Sequence, residues 1–460
     1  MGKYSNQVKT NEAWLPMIPS QWELKKIKWS FKERSEKGYP DELLLVASQN
    51  MGVVPKNVYG KRTVEALKDL DKLKLVKVGD YVVSLRSFQG GIEYAYYQGI
   101  ISPAYTIMRP NPDFCSAYYK FLFKSAPFIK LLTTCVTGIR EGQNIDYGKL
   151  KNHYIPVPPR AEQDQIVRFL DWKVSEINRL IGIKKNQING YREYEKKVIN
   201  DKVLYGLQEA PLRESGNHWV GKIPTNWKII KLGKFCSFQN GISESGNFFT
   251  SGTPFVGYSD VYKHLELPKY VKGVAKANEQ QQEIFSVRKG DIFFTRTSES
   301  IEEIGMAAVC KHTIKDAVFS GFLIRCRPRM PLINEDYMKY YLQIPAVRNH
   351  FSSMMNIVIR ASLGQNLLKQ MPVVVPPLKE QKEIAEFLDA MHERFLRLIT
   401  TNEEEISMLE ELRNTLISDV VTGKIDVRNI PVPAYEHVDD MVADGGEGND
   451  EEPRIPGEED

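Results

Sequence analysis

The chain states much of itself twice. Residues 14–27 read WLPMIPSQWELKKI, and residues 219–232 read WVGKIPTNWKIIKL. Trp14, Ile18, Pro19 and Trp22 return as Trp219, Ile223, Pro224 and Trp227, a shift of 205 residues. VPPRAEQDQIVRFLD at 157–171 returns as VPPLKEQKEIAEFLD at 375–389, a shift of 218. A period this long is not that of a solenoid repeat; it marks a duplicated domain with modest insertions. Two similar but non-identical halves suit the reading of two different halves of something.

Within each half, short β-branched runs are broken by Gly, Pro and Asn. LVKVGDYVVSLRSF (75–88) and FSVRKGDIFFTRTS (285–298) each predict a strand, a turn at Gly79-Asp80 or Gly290-Asp291, and a second strand ending in a polar loop. Asp after Gly in a turn is favoured for local hydrogen bonding, so these carboxylates read as structural. SAYYKFLFKSAPFIKLL (116–132) and EDYMKYYLQIPAVRNHF (335–351) have helical spacing with a Pro interruption. Each half therefore mixes strands and helices.

After Pro158-Pro159 and Pro376-Pro377 the period becomes heptad-like and Pro disappears, from Ala161 to about Tyr205 and from Lys379 to about Val421. In the second segment the seam is expected at Ile384, Leu388, Met391, Phe395, Leu398, Leu409, Leu412 and Leu416, with Asn402 and Glu405 as polar members. The shift of 218 places Ile166, Leu170, Ile177, Leu180, Tyr191, Tyr194 and Val198 in the first seam, with Lys184 as its polar member. Two helices of this length span about 60 Å each and can bury their stripes against one another as a coiled coil. Gly182 and Gly190 predict a kink in the first.

Charge narrows the partner. The net charge is +4, but residues 436–460 hold 11 acids against one Arg, which leaves +14 on residues 1–435. A basic body suits a polyanion, nucleic acid above all. The tail after Val427, rich in Pro, Gly and acid, is expected to be disordered. Five Cys without a CxxC pair and seven scattered His predict free thiols and no metal site. With no 18-residue apolar run and no apolar leader at the N-terminus, the expectation is a cytoplasmic protein without a membrane span.

The order of domain, long helix, domain, long helix, with IPxxW opening each domain and PPxxEQ each helix, resembles the specificity subunit of type I restriction-modification systems. The segments that carry the resemblance are IPSQWELKKI, IPTNWKIIKL, GQNIDYGKLKNHYIPVPPRAEQDQIVRFLD and GQNLLKQMPVVVPPLKEQKEIAEFLD, within residues 14–425. It implies an α+β fold with two target-recognition domains (14–159 and 211–377), each reading part of a bipartite asymmetric duplex DNA target. It further implies that two long helices (160–210 and 378–425) form an antiparallel coiled coil, with an acidic tail (426–460) outside the pattern. The implied partners are DNA, two methyltransferase subunits and restriction/translocase subunits. Those subunits, not this chain, are expected to hold S-adenosylmethionine, ATP and Mg.

The chain lacks a G-x-x-x-x-G-K-[ST] phosphate loop and an Asn-Pro-Pro-aromatic motif, which fits a binding module without catalytic residues. Candidate DNA contacts are Arg86, Ser87 and Gln89 in the first half and Arg296, Thr297 and Ser298 in the second. Arg pairs bidentately with guanine, Gln with adenine, and hydroxyls reach phosphate. A second set is Arg140, Gln143 and Asn144 (GIREGQN) with Arg360, Gln365 and Asn366 (VIRASLGQN), where sharing between halves favours a structural role. Two other readings are a protein scaffold that never touches DNA and a self-contained DNA-modifying enzyme. Salt-dependent DNA binding argues against the first, and an inactive isolated chain against the second.

Overall fold

In a computed structural model the chain is described over residues 2–59, 69–84, 87–137, 144–244, 246–298, 305–353 and 361–438. It divides into two units, one comprising the residues up to Gln187 with those from Thr401 on, the other Ile188–Thr400. This division cuts through both long helices.

Unit 1 is built on a four-stranded antiparallel sheet ordered Phe31–Arg34, Thr106–Pro110, Tyr81–Val83, Glu93–Tyr94. Unit 2 repeats it as Cys236–Asn240, Leu323–Pro328, Ile292–Thr295, Ala307–Val309. The glycines of the two GD turns have φ of 89° and 86°, a region in which any side chain would be strained. The aspartate that follows closes the turn: Lys77 N–H donates to Asp80 at 2.9 Å and Arg288 N–H to Asp291 at 2.7 Å. Both carboxylates are buried against a guanidinium, Arg34 Nε at 2.7 Å from Asp80 and Arg327 Nε at 2.6 Å from Asp291. These aspartates are structural. Each sheet is covered by a helix pair broken near proline, Ser116–Lys124 with Ala126–Thr134 and Glu335–Tyr341 with Pro345–Ser353.

The duplicated motifs meet each other in space. In unit 1 Trp22 Nε1 donates to Glu162 of PPxxEQ at 2.8 Å, and in unit 2 Trp227 Nε1 donates to Glu380 at 3.0 Å. The adjacent Gln closes the helix start: Gln163 Nε2 donates to Pro158 O at 2.7 Å and Gln381 Nε2 to Pro376 O at 2.8 Å. Each motif is thus half of one lock between the domain entry and the helix entry, made twice.

The long helices run Arg160–Tyr205 and Leu378–Val421 without a break at Gly182 or Gly190, where the space around the missing Cβ is open. Unit 1 takes Ile166, Phe169 and Leu170 from the start of the first helix and Leu416, Val420 and Val421 from the end of the second. Unit 2 takes Ile384 and Leu388 from the start of the second and Ile199, Val203 and Leu204 from the end of the first. In both units the helices pack antiparallel. Unit 1 pairs Arg413 with Asn178 at 2.8 Å and Lys184 with Glu405 at 2.5 Å. Unit 2 sets the Tyr191 ring 6.2 Å from Phe395 and His392 2.6 Å from Glu195.

Ile166, Leu170, Ile177, Ile384, Leu388, Phe395 and Asn402 are buried, and Leu409 is partly so. Leu180, Leu398, Leu412 and Tyr194 are not: they are exposed, and Ile181 and Ile188 are buried instead. The expected register stepped from Ile177 to Leu180. The helix instead buries 174, 177, 181 and 188, which keeps the seven-residue repeat but sets the seam beyond Ile177 one residue later than expected.

The tail also departs from expectation. Val427 is fully buried, Ile430 and Val432 pack on the unit 1 core, and Gln165 Nε2 donates to Val427 O at 3.1 Å and Ile430 O at 2.7 Å. Val438 N–H donates to Ser175 Oγ at 3.1 Å. Residues 426–438 form a strap along the first long helix. Averaging their apolar positions with the acids beyond hid this, and residues 439–460 lie outside the described ones.

Candidate nucleic-acid interface

In unit 2 the two predicted loops form one surface. At the end of strand Ile292–Thr295 the chain enters Arg296, whose N–H donates to Phe322 O at 2.9 Å and whose carbonyl accepts from Leu363 N–H at 2.7 Å. Thr297–Ser298 then pairs antiparallel with Ala361–Ser362, Thr297 opposite Ser362. Gln365 Nε2 donates to Asn240 Oδ1 at 2.9 Å, which ties the second loop to the end of strand Cys236–Asn240. Arg296 is half-buried and Asn366 exposed, while Gln365 acts as a brace. Arg360 lies outside the described residues.

Two residues on this surface escaped the sequence reading. Asn240 ends a strand beside Gly241, whose missing Cβ would stand 2.2 Å from Ser320 O. That close approach brings the 240 and 320 turns together and leaves Phe322 standing 61% exposed beside Arg296. The Asn-Gly and Ser-Gly dipeptides mark both turns in the sequence, but nothing local says that they meet.

Unit 1 joins the same two segments. The short helix Ser87–Gly90 contacts strand Asn144–Ile145, which pairs with Val136–Thr137. Gln89 and Asn144 are exposed. Ser87 is a correction: it is fully buried, and its Oγ accepts Ser84 N–H at 2.8 Å, so it shapes the loop and cannot reach DNA. Arg86, Arg140 and Gln143 lie outside the described residues.

Two arginines, Arg325 and Arg327, lie on strand Leu323–Pro328 of the second sheet. Arg325 is buried with Nη1 donating to Ser286 O at 2.6 Å. Burial, and then the neighbouring Arg327 cation, lowers its pKa to about 10, so it stays charged at neutral pH. The five cysteines are free and buried, and burial raises the thiol pKa of Cys115, Cys135, Cys310 and Cys326, which disfavours the thiolate. Among the described residues there is no cluster of three or more His, Cys, Asp or Glu able to hold a metal ion, and no helix is long and apolar enough to cross a membrane.

Residues 224–408 match the family model of the type I restriction modification DNA specificity domain. A chain named as the MjaX specificity subunit of a Methanocaldococcus jannaschii type I restriction enzyme is 24% identical over 446 residues, covering 89% of this chain and 95% of the relative. The MjaVIII specificity subunit of the same organism is 22% identical, covering 79% and 83%. The EcoKI specificity subunit of Escherichia coli is 24% identical over 60% of this chain and 59% of its own. A solved chain from work on complex assembly and conformational transition of the type I R-M system superposes with a TM-score of 0.66 at 15% identity, covering 89% of this chain and 99% of that one. That last likeness is one of fold.

Proposed function

We propose that this chain is a specificity subunit of a type I restriction-modification system and that each unit reads one part of a bipartite, asymmetric duplex DNA target. The observation that carries the reading is the loop junction made twice on one scaffold with different side chains. A shared frame with different polar tips is what two readers of different sequences require. Arg296 and Asn366 in unit 2, with Gln89 and Asn144 in unit 1, are the described candidates for groove contact. Arg86, Arg140, Gln143 and Arg360 extend the same segments.

The chain directs chemistry done by others: adenine methylation by two methyltransferase subunits, and cleavage by restriction/translocase subunits that use ATP and Mg. S-adenosylmethionine belongs to the methyltransferases. The helices offer them a docking face. In unit 1 Leu180, Ile183, Met408 and Leu412 are exposed, and in unit 2 Tyr194, Leu396 and Leu398. Exposed large apolar side chains on these helices are the surface that burial against a partner would cover.

Methylome sequencing of a host carrying the chain and its methyltransferase subunits tests the reading, with one bipartite methylated motif as the expected result. DNA affinity of the assembled complex is expected to fall steeply with salt, because a body of +14 displaces counterions from phosphate. An affinity unchanged between about 50 and 200 mM salt would remove the electrostatic part of the argument. Arg296→Ala is expected to relax or abolish recognition in one half-site, at about 1–3 kcal/mol. A loss spread evenly over all sequences would place Arg296 on phosphate instead.

A further inference from the structure

Beside Gln89, unit 1 carries a polar hairpin tip that the sequence did not single out. Strands Leu45–Ser48 and Gly52–Pro55 form a hairpin with Ser48 opposite Gly52, so Gln49, Asn50 and Met51 are its tip. The tip is turned by Gly52 at φ 72°, where an added Cβ would stand 2.8 Å from Tyr94 O and from the Tyr96 ring. Asn50 is exposed, as is Gln89 on the helix Ser87–Gly90.

One cation joins these two elements. Lys124 Nζ, at the end of helix Ser116–Lys124, donates to Gln49 O at 2.9 Å and to Gly90 O at 2.9 Å. The same ammonium meets both oxygens of Glu93, at 2.6 and 2.7 Å, and that carboxylate is 1% exposed. The Gln49 stem lies directly over Gly90, where an added Cβ would be 2.8 Å from Gln49 Cδ. A largely buried ion pair is a poor source of net stability, but it holds geometry rigidly. Here it fixes the hairpin tip against the helix that carries Gln89. Unit 2 uses a comparable tactic from its own helical layer, where Arg348 Nη2 donates to Gly305 O at 2.6 Å.

Resting on the reading of unit 1 as a recognition domain, we infer that Asn50 joins Gln89 in an amide edge that reads A·T pairs in the major groove. Lys124 is the positioning residue of that edge. Amide side chains are the ones whose donor and acceptor match N6 and N7 of adenine together. Gln49 and Gly90 set the spacing between the two amides.

The test uses the whole chain assembled with its methyltransferase subunits. Asn50→Ala and Gln89→Ala change exposed side chains and leave the core intact. Each is expected to lower methylation at an A·T position of one half-site by roughly tenfold or more while the other half-site is read as before. In binding assays, 7-deazaadenine at that position removes N7; it is expected to weaken the unaltered complex and to have little effect on the Asn50→Ala complex. Lys124→Met is expected to blur the same half-site only, and Lys124→Arg to restore it. Urea unfolding of the Lys124→Met chain, followed by proteolysis within unit 1, shows whether that unit has folded; if it has not, Asn50→Ala and the deaza probe decide. A bipartite motif that survives both amide substitutions unchanged overturns the inference and leaves the proposed function standing. Absence of any bipartite motif with the unaltered chain overturns the function itself.

Discussion

Trp227→Ala is expected to destabilise unit 2 by about 3–5 kcal/mol, the usual cost of truncating a large buried aromatic. Trp227 is 1% exposed and sits in the core that also holds Phe235, Tyr337 and Tyr341. Its indole N–H donates to Glu380 at 3.0 Å, and Gly206, just beyond the first long helix, lies against its ring. Truncation removes ring contacts, empties the gap and leaves the half-buried Glu380 without its donor. Glu380→Ala removes only the hydrogen bond and is expected to cost less, about 1–3 kcal/mol. Urea unfolding of the full chain, followed by proteolysis within residues 223–377, reads the effect in this unit. A Trp227→Ala loss below about 1 kcal/mol would mean that the contact between the two repeated motifs does not hold the domain on its helix. Trp22→Ala is the matching change in unit 1, where the acceptor is Glu162.

The largest functional effect is expected from exchanging residues 223–377 for the same segment of a relative. The segment carries every described loop of the unit 2 interface, from Asn240 to Asn366, and returns to the helix at Pro377. It attaches to the rest of the unit through the motif lock, shared by both halves of this chain, and through contacts such as Lys339 Nζ to Asp389 at 2.6 Å and Tyr337 Oη to Val203 O at 3.2 Å. One half-site of the methylated motif should therefore change completely while the other is kept. Methylome sequencing of the exchanged chain reads this directly. If both half-sites change together, the units do not read independently, and the duplicated loop junction has another purpose.

The two sets of residues differ in how they could be read from the chain. IPxxW and PPxxEQ stood out because duplication repeats whatever the scaffold needs, and the Trp–Glu contact explains why both had to repeat. The reading of the GD aspartates as structural follows from local turn chemistry, which needs only neighbouring residues. Their partners could not be read the same way. Asp80 takes Arg34 from strand Phe31–Arg34, whereas Asp291 takes Arg327 from strand Leu323–Pro328, which holds a different place in the sheet order. Ser87 was misplaced for a similar reason: its hydroxyl looks available in the sequence, yet it is buried and accepts Ser84 N–H.

By itself the sequence determined the duplication, the mixed strands and helices of each half, and the extent of both long helices. These rest on repetition and on short-range periodicity, which the backbone converts into structure locally. Only the tertiary structure decided which helix face is buried: packing in the unit 1 core takes Ile181 rather than Leu180, one residue on from the seam carried over from the second helix. It alone joined Arg296 to Leu363 and Asn240 to Gln365, and clamped Gln49 beside Gly90 through Lys124. It also laid residues 426–438 along a helix that begins far earlier in the chain. Each of these is a contact between distant segments, set by strand pairing and core packing that no local pattern encodes.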